Sequence, residues 1–132
     1  MREEKINPFE IKVDVKSALP VYEQIKRAIK LVILSRRLEE GDQLMSIREL
    51  ALKLRINPNT IIKVYYQLEM EGFVISRPGA GYYVKFDGKK IQKERRELFE
   101  QATDEYISKV TDMSYTLEDI TQEINTRKKE GS

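Results

Sequence analysis

Between Ser46 and Val84 the chain reads SIRELALKLRINPNTIIKVYYQLEMEGFVISRPGAGYYV, two helix starts in close succession followed by a glycine hairpin. Ser46 and Glu49 form an S-x-x-E capping box, each satisfying a backbone N–H of the other, so a helix starts at Ile47. Its inward face is Ile47, Leu50, Ala51 and Leu54. After a turn at Arg55-Ile56, Asn57 is a good N-cap. Pro58 suits the first helical position, where its missing N–H would have had no partner. The inward face of this next helix is Ile61, Val64, Tyr65 and Leu68, and Gly72 is placed to stop it in a left-handed conformation. Residues 73–77 are then a strand, 78–81 a turn and 82–86 the returning strand.

Helix, turn, helix and hairpin in that order make a winged helix-turn-helix, a module that most often reads duplex DNA. The predicted fold class is mainly α with a small β-hairpin, followed by two C-terminal helices. Upstream, Phe9, Ile11, Val13 and Val15 alternate with polar residues and read as a short extended segment. Leu19-Pro20 breaks it and starts a helix whose Val21, Ile25, Ala28, Ile29, Val32 and Ile33 share one face. That helix should end near Arg36-Arg37, and residues 41–45 form a connector.

Asp87-Gly88 marks a boundary, giving residues 1–86 as the DNA-binding domain and 87–132 as a two-helix dimerisation or effector region. In the latter, Ile91, Leu98, Phe99, Ala102, Tyr106, Val110 and Met113 recur at helical spacing along a long polar helix. A last helix starts at Thr116, which pairs with Asp119 as a second capping box, and its apolar face is Leu117, Ile120 and Ile124. The end, RKKEGS, is polar and expected to fray. Two helices alone make a thin layer and not a core. Leu98, Phe99, Ala102, Tyr106, Val110, Leu117 and Ile120 are therefore the expected homodimer contact, matching a two-fold protein to a palindromic site. The alternative is that they pack back on the first helix of the same chain.

The chain has 132 residues without a Cys or a His. That excludes disulfides, zinc sites built on Cys or His, and Cys-His or Ser-His nucleophilic pairs. Carboxylate chemistry is left, but the acids read as solvated helix faces. No catalytic residue, metal ligand or cofactor is predicted, and no small-molecule effector is identified. The longest apolar run, Leu31–Leu34, is far short of a membrane span, and the charged start lacks a signal-peptide core, so a cytoplasmic protein is expected. The net charge of +2 is uneven. Residues 1–86 hold 15 Lys/Arg against 11 Asp/Glu, a net of +4, and residues 87–132 hold 9 against 11, a net of −2. Positive charge thus lies with the DNA-binding module.

Within that module the recognition helix, about residues 58–71, presents Asn59, Ile62, Lys63 and Tyr66 away from its core stripe. Asn59 suits an adenine edge or a phosphate, Lys63 a guanine or a phosphate. Ile62 is apolar where a surface prefers polar groups; contact with a thymine methyl group explains it, as does tucking with Tyr66 against the wing. Thr60, near the helix N-terminus, suits a phosphate or a local cap. Arg48 stands in the first turn of its helix, where the dipole disfavours a cation, so a phosphate, a guanine or an ion pair with Glu49 is expected. In the wing, residues 77–82, Gly79 and Gly81 permit positive φ and close approach, and Arg77 beside them is suited to a minor groove. Tyr82 and Tyr83 read as strand packing. A winged helix that serves protein interaction without DNA binding is the alternative function.

These motifs resemble those of the GntR family of bacterial transcription regulators. The family pattern L-P-S-x-R-x-L-A is met by Leu44-Met45-Ser46-Ile47-Arg48-Glu49-Leu50-Ala51, and V-S-R-N-T-V by Ile56-Asn57-Pro58-Asn59-Thr60-Ile61. L-x-x-E-G is met by Leu68 to Gly72, and R-x-G-x-G-x-F-V by Arg77 to Val84. Pro20-Val21-Tyr22-Glu23-Gln24-Ile25 looks like the family's first helix. The Asn-Pro-Asn-Thr start and the short tail look most like the YtrA subfamily. The resemblance implies a homodimer with a two-helix effector region, repression at palindromic operators, and DNA contacts by Arg48, Asn59, Thr60, Lys63, Arg77, Gly79 and Gly81. Met45 stands where the pattern has proline, which loosens the approach to the second helix. Ile62 stands where the family often has Arg or Gln.

Overall fold

The computed structural model describes residues 11–131; Phe9, taken above as part of an extended segment, lies outside them. The described elements run α1 (Val21–Leu34), α2 (Ile47–Leu54), α3 (Pro58–Met70), β1 (Val74–Arg77), β2 (Gly81–Val84), α4 (Gly88–Thr111) and α5 (Leu117–Gly131). Two compact units are present, divided between Gln92 and Lys93.

In the first unit, α1, α2 and α3 surround a core in which Ile25, Ile29, Ile33, Leu50, Ile61, Val64, Tyr65, Leu68 and Phe73 are wholly buried. Burying each such side chain contributes about 1.5–3 kcal/mol relative to leaving it in water. Ile11 joins this core and Val13 packs beside it, while Val15 is exposed. The segment forms no strand among the described residues. It is held instead by Gln24, whose Oε1 accepts from the Asp14 N–H (2.8 Å) and whose Nε2 donates to the Asp14 and Leu19 carbonyls (both 2.8 Å).

The helix starts follow the capping chemistry. Pro20 stands at the N-cap position of α1 without a side-chain cap, and the Ser46–Glu49 box is closed in both directions. Asn57 Oδ1 accepts from the Asn59 N–H at 2.9 Å with Pro58 in the first turn. The stops are less conventional. α1 ends at Leu34, short of the predicted Arg36-Arg37, because Arg36 turns left-handed (φ 63°) and the Arg37 N–H returns to the Val32 carbonyl at 3.0 Å. Arg55 (φ 57°) ends α2 in the same way, with the Ile56 N–H on the Ala51 carbonyl at 2.9 Å. Only α3 uses the glycine predicted for it, Gly72 at φ 83°, with the Phe73 N–H donating to Leu68. That closure drops Phe73 into the core.

β1 and β2 pair antiparallel, Val74 opposite Val84 and Arg77 opposite Gly81. A third backbone rail lies along β2. The Leu44 N–H donates to Tyr82 (2.9 Å), the Val84 N–H to Asp42 (2.8 Å) and the Gly41 N–H to Val84 (2.8 Å). The connector expected at 41–45 is therefore tied to the wing. Met45 is held too, its carbonyl accepting from the buried Tyr65 hydroxyl. The missing proline does not leave the approach to α2 loose.

Asp87 caps α4 through the Lys89 N–H (2.9 Å), and Ile91 in its first turn is buried in the core of the first unit. α4 stops at Thr111 with Ser114 left-handed (φ 71°), so Met113 lies in a turn and not on the helix. Thr116 and Asp119 complete the second capping box, at 2.9 and 3.1 Å. These bonds hold the Asp119 carboxyl below its usual range. The polar end remains helical through Gly131 instead of fraying, consistent with lysines at a helix C-terminus favouring the dipole.

One polar tie joins α1 to the end of α3. Lys26 and Lys30 each donate to the Glu71 carboxylate, at 2.8 and 2.9 Å. Burial pushes the Glu71 carboxyl up, but the two ammonium donors outweigh it and hold it below the usual 4.5. A carboxylate with a depressed native pKa adds stability above its unfolded value and loses it as pH falls through the native one. Glu71→Gln should lower unfolding free energy near pH 7 by about 1 kcal/mol. The deficit should close as pH drops below the carboxylate range, which urea titrations at pH 7 and pH 3 would test. A deficit that persists unchanged in acid would show that packing, not charge, is responsible.

Candidate nucleic-acid interface

Three segments of the first unit carry the predicted contacts. In α2, Arg48 is exposed in the first turn, and among the described residues no acid pairs with it. Glu49, its expected partner in one reading, instead reaches back to the Ser46 N–H at 3.4 Å to close the capping box. The guanidinium therefore projects into solvent at a helix N-terminus, where an anion is the favoured neighbour.

In α3, Asn59, Ile62, Lys63, Tyr66 and Met70 are exposed while Thr60 is half-buried. Asn59, Thr60 and Lys63 line a shallow cleft of about 330 Å³ with Asn57 and with Val21 and Tyr22 of α1. The Lys63 ammonium sits 3.7 Å from the centroid of the Tyr22 ring. That is close for a cation–π pair, and it draws Lys63 toward α1. Ile62 and Tyr66 are 46% and 51% exposed, so neither is buried against the wing. The only acid of α3, Glu69, is engaged by Ser76 of β1, whose N–H and hydroxyl both donate to it at 2.9 Å. This turns the carboxylate toward β1 and fastens the hairpin to α3.

In the wing, Arg77 lies over the Tyr83 ring at 4.5 Å. Tyr82 meets Tyr65 edge-on, centroids 5.1 Å apart. Burial, then the charge of Glu69, push the Tyr82 hydroxyl pKa up. Both tyrosines thus act in strand packing. Gly79 (φ 76°) has nothing within 4 Å of where a Cβ would stand, leaving its backbone open to an approaching molecule. Gly81 (φ 113°) is different, because there a Cβ would come within 3.1 Å of the Gln43 amide. That amide donates to the Ala80 carbonyl at 2.8 Å and ties the turn to the connector before α2. Asn59, Thr60 and Lys63 are thus brought together in one cleft, Arg77, Gly79 and Gly81 in one turn, and Arg48 stands apart from both on α2.

Tyr22 and Gln43 were not legible as site residues. Tyr22 looked like one more position of an amphipathic helix, and nothing in the sequence ties it to Lys63. Gln43 sits in a connector with no periodicity. Both act through contacts distant in the chain.

In the second unit, Leu98, Phe99, Tyr106, Met113, Tyr115, Leu117 and Ile124 are between 42% and 61% exposed, and Ala102 is exposed as well. Val110 is half-buried. Ile120, at 7%, is covered within its own unit, beside a cleft of about 430 Å³ that Tyr106, Val110, Met113 and Tyr115 also line. No helix among the described residues is long and apolar enough to cross a membrane.

The family model described as bacterial regulatory proteins, gntR family, matches residues 21–84. The HTH-type transcriptional repressor YtrA of Bacillus subtilis is 40% identical over 79 residues, covering 60% of this chain and 61% of the repressor. The chain thus spans less than two thirds of that relative's length. Among solved structures, a GntR family transcriptional regulator from Listeria monocytogenes superposes with a TM-score of 0.72 at 32% identity, over 84% of this chain and 97% of that one. YtrA from Sulfolobus acidocaldarius, a GntR-family transcription factor, does so with 0.57 at 36% identity, over 72% and 98%.

Gly81 gives the site a structural test. Its φ lies outside the left-handed helical region, and a Cβ would press on the Gln43 amide, so Gly81→Ala should cost about 1–2 kcal/mol. Calorimetric melting of the variant would show it, and an unchanged midpoint would mean that the turn does not require glycine.

Proposed function

This chain belongs to the gntR family of bacterial regulatory proteins, a family of transcription regulators and not of enzymes, and its winged helix is a DNA-binding one; on that premise we propose that it is a homodimeric repressor of a palindromic operator. The observation that carries this reading is the exposed start of α3, where Asn59 and Lys63 flank Ile62, together with a wing whose Gly79 backbone is open. In this reading α3 enters the major groove and its first turns meet the base edges. Thr60 contacts phosphate, Arg48 phosphate or guanine, and the wing from Arg77 to Gly81 follows the backbone or minor groove. Repression is taken from the Bacillus subtilis relative, a transcriptional repressor, and supposes that operator occupancy excludes polymerase. The protein would act in the cytoplasm, where its DNA is.

Dimerisation is proposed for the second unit, the two-helix region that starts at α4. Exposed apolar side chains at Leu98, Phe99 and Tyr106 of α4 and Leu117 of α5 are costly for a free monomer and suit an isologous contact, with Ala102 and Val110 allowing close approach. Two winged helices related by a two-fold axis would read half-sites about one helical turn, ~34 Å, apart or a multiple of it. The cleft beside Ile120 is the proposed place for any effector, whose chemistry nothing in its lining specifies.

Binding of the full chain to duplex DNA from its own promoter, against a random duplex and across several salt concentrations, tests the reading. Selective binding with a steep negative salt slope is expected. Equal weak binding to both duplexes would mean that the operator lies elsewhere or that an effector is missing; no binding to either, even at low salt, would favour a protein-interaction role instead. Arg48→Ala should weaken operator binding by about 1–3 kcal/mol if Arg48 touches a base, and by a uniform amount with a shallower salt slope if it touches phosphate. Undiminished binding would remove Arg48 from the interface. In sedimentation equilibrium the wild type should behave as a dimer and the Leu98→Glu, Phe99→Glu double variant as a monomer; a wild-type monomer would overturn the dimer.

A further inference from the structure

Ile62, Tyr66 and Met70 follow one another at four-residue spacing, which in a helix makes a single stripe, and they are 46%, 51% and 72% exposed. Asn59 lies at the head of the stripe. Lys63 is the only cation in α3, and it is drawn aside over the Tyr22 ring. Glu69, the only anion, is occupied by Ser76. Along its outer centre the helix therefore offers apolar side chains at Ile62 and Met70, the Tyr66 phenol and one amide. The exposed cations Arg48, on α2, and Arg77, on the wing, stand on other elements.

Hydrocarbon has nothing to offer a phosphate. In the major groove one base-edge group is apolar, the C5-methyl of thymine. A primary amide matches the paired acceptor and donor of adenine. We propose that this helix reads its half-site through thymine methyl groups, with Ile62 as the principal contact, Tyr66 the next one along the helix, and an adenine opposite Asn59. The inference rests on the DNA-binding reading above and specifies the class of sequence, one with A·T pairs under the centre of α3. DNA is the occupant favoured over a protein partner because the stripe is continuous with Asn59 and Lys63 at the helix start, where an amide and an ammonium suit base edges and phosphate. Ile62 lies about one turn into α3, in the part of a recognition helix that meets bases.

The test uses the full-length protein and a duplex that it selects from a random-sequence pool. Thymines of that duplex are replaced one at a time by deoxyuridine, which deletes only the methyl group. At one or two thymines in each half-site the Kd measured by fluorescence anisotropy should rise about three- to tenfold. Ile62→Ala should bind the thymine and uracil forms of those sites equally, while Ile62→Val should retain part of the preference. Ile62 is exposed, so these variants are expected to fold, and the deoxyuridine scan of the wild type needs no variant. Selective binding with no methyl-sensitive position, or an Ile62→Ala that keeps the full preference, would overturn the inference alone. Failure of the wild type to select any sequence would overturn the DNA-binding reading and the inference with it.

Discussion

The winged helix hangs on one buried side chain, Tyr65. Its ring is wholly buried in the core face of α3, its hydroxyl donates to the Met45 carbonyl just ahead of α2, and its edge meets Tyr82 of β2. Recognition helix, preceding helix and wing are thus referred to a single residue. A buried hydroxyl without its acceptor would cost about 1–3 kcal/mol, so the Met45 carbonyl is constrained in return. Burial, with a contribution from Glu49, pushes the Tyr65 hydroxyl pKa far up, and the donor stays protonated over the working pH range.

Much of this architecture was legible because its starts are written in local chemistry. The Ser46–Glu49 and Thr116–Asp119 boxes and the Asn57-Pro58 pair each satisfy N–H groups within a single turn, and each fixed a helix start. The stops were harder. Arg36 and Arg55 take left-handed conformations that glycine usually supplies; the turn at Arg55-Ile56 was legible, while α1 ends at Leu34, ahead of Arg36-Arg37. The rail of residues 41–44 escaped notice because its partners on β2 lie far along the chain.

The candidate interface divides in the same way. Arg48, Asn59, Lys63 and Gly79 were readable from position, since a helix N-terminus or a wing turn defines what an exposed side chain there can meet. What could not be read was arrangement. Lys63 leans on Tyr22 across from another helix, and Gln43 holds the turn that Gly81 closes. In the second unit, periodicity identified the apolar positions but not which of them the chain covers itself. Ile120 is covered and Phe99 is not.

The rail along β2 has a further consequence, for colloidal behaviour. A two-stranded sheet offers two edges, and an open edge is a template onto which another chain can add a strand. Here β2 is already paired on its outer side by residues 41–44, and on the outer side of β1 the Ser76 N–H is taken by Glu69. An exposed hairpin whose outer backbone groups are already engaged offers a poor template for strand addition by another copy.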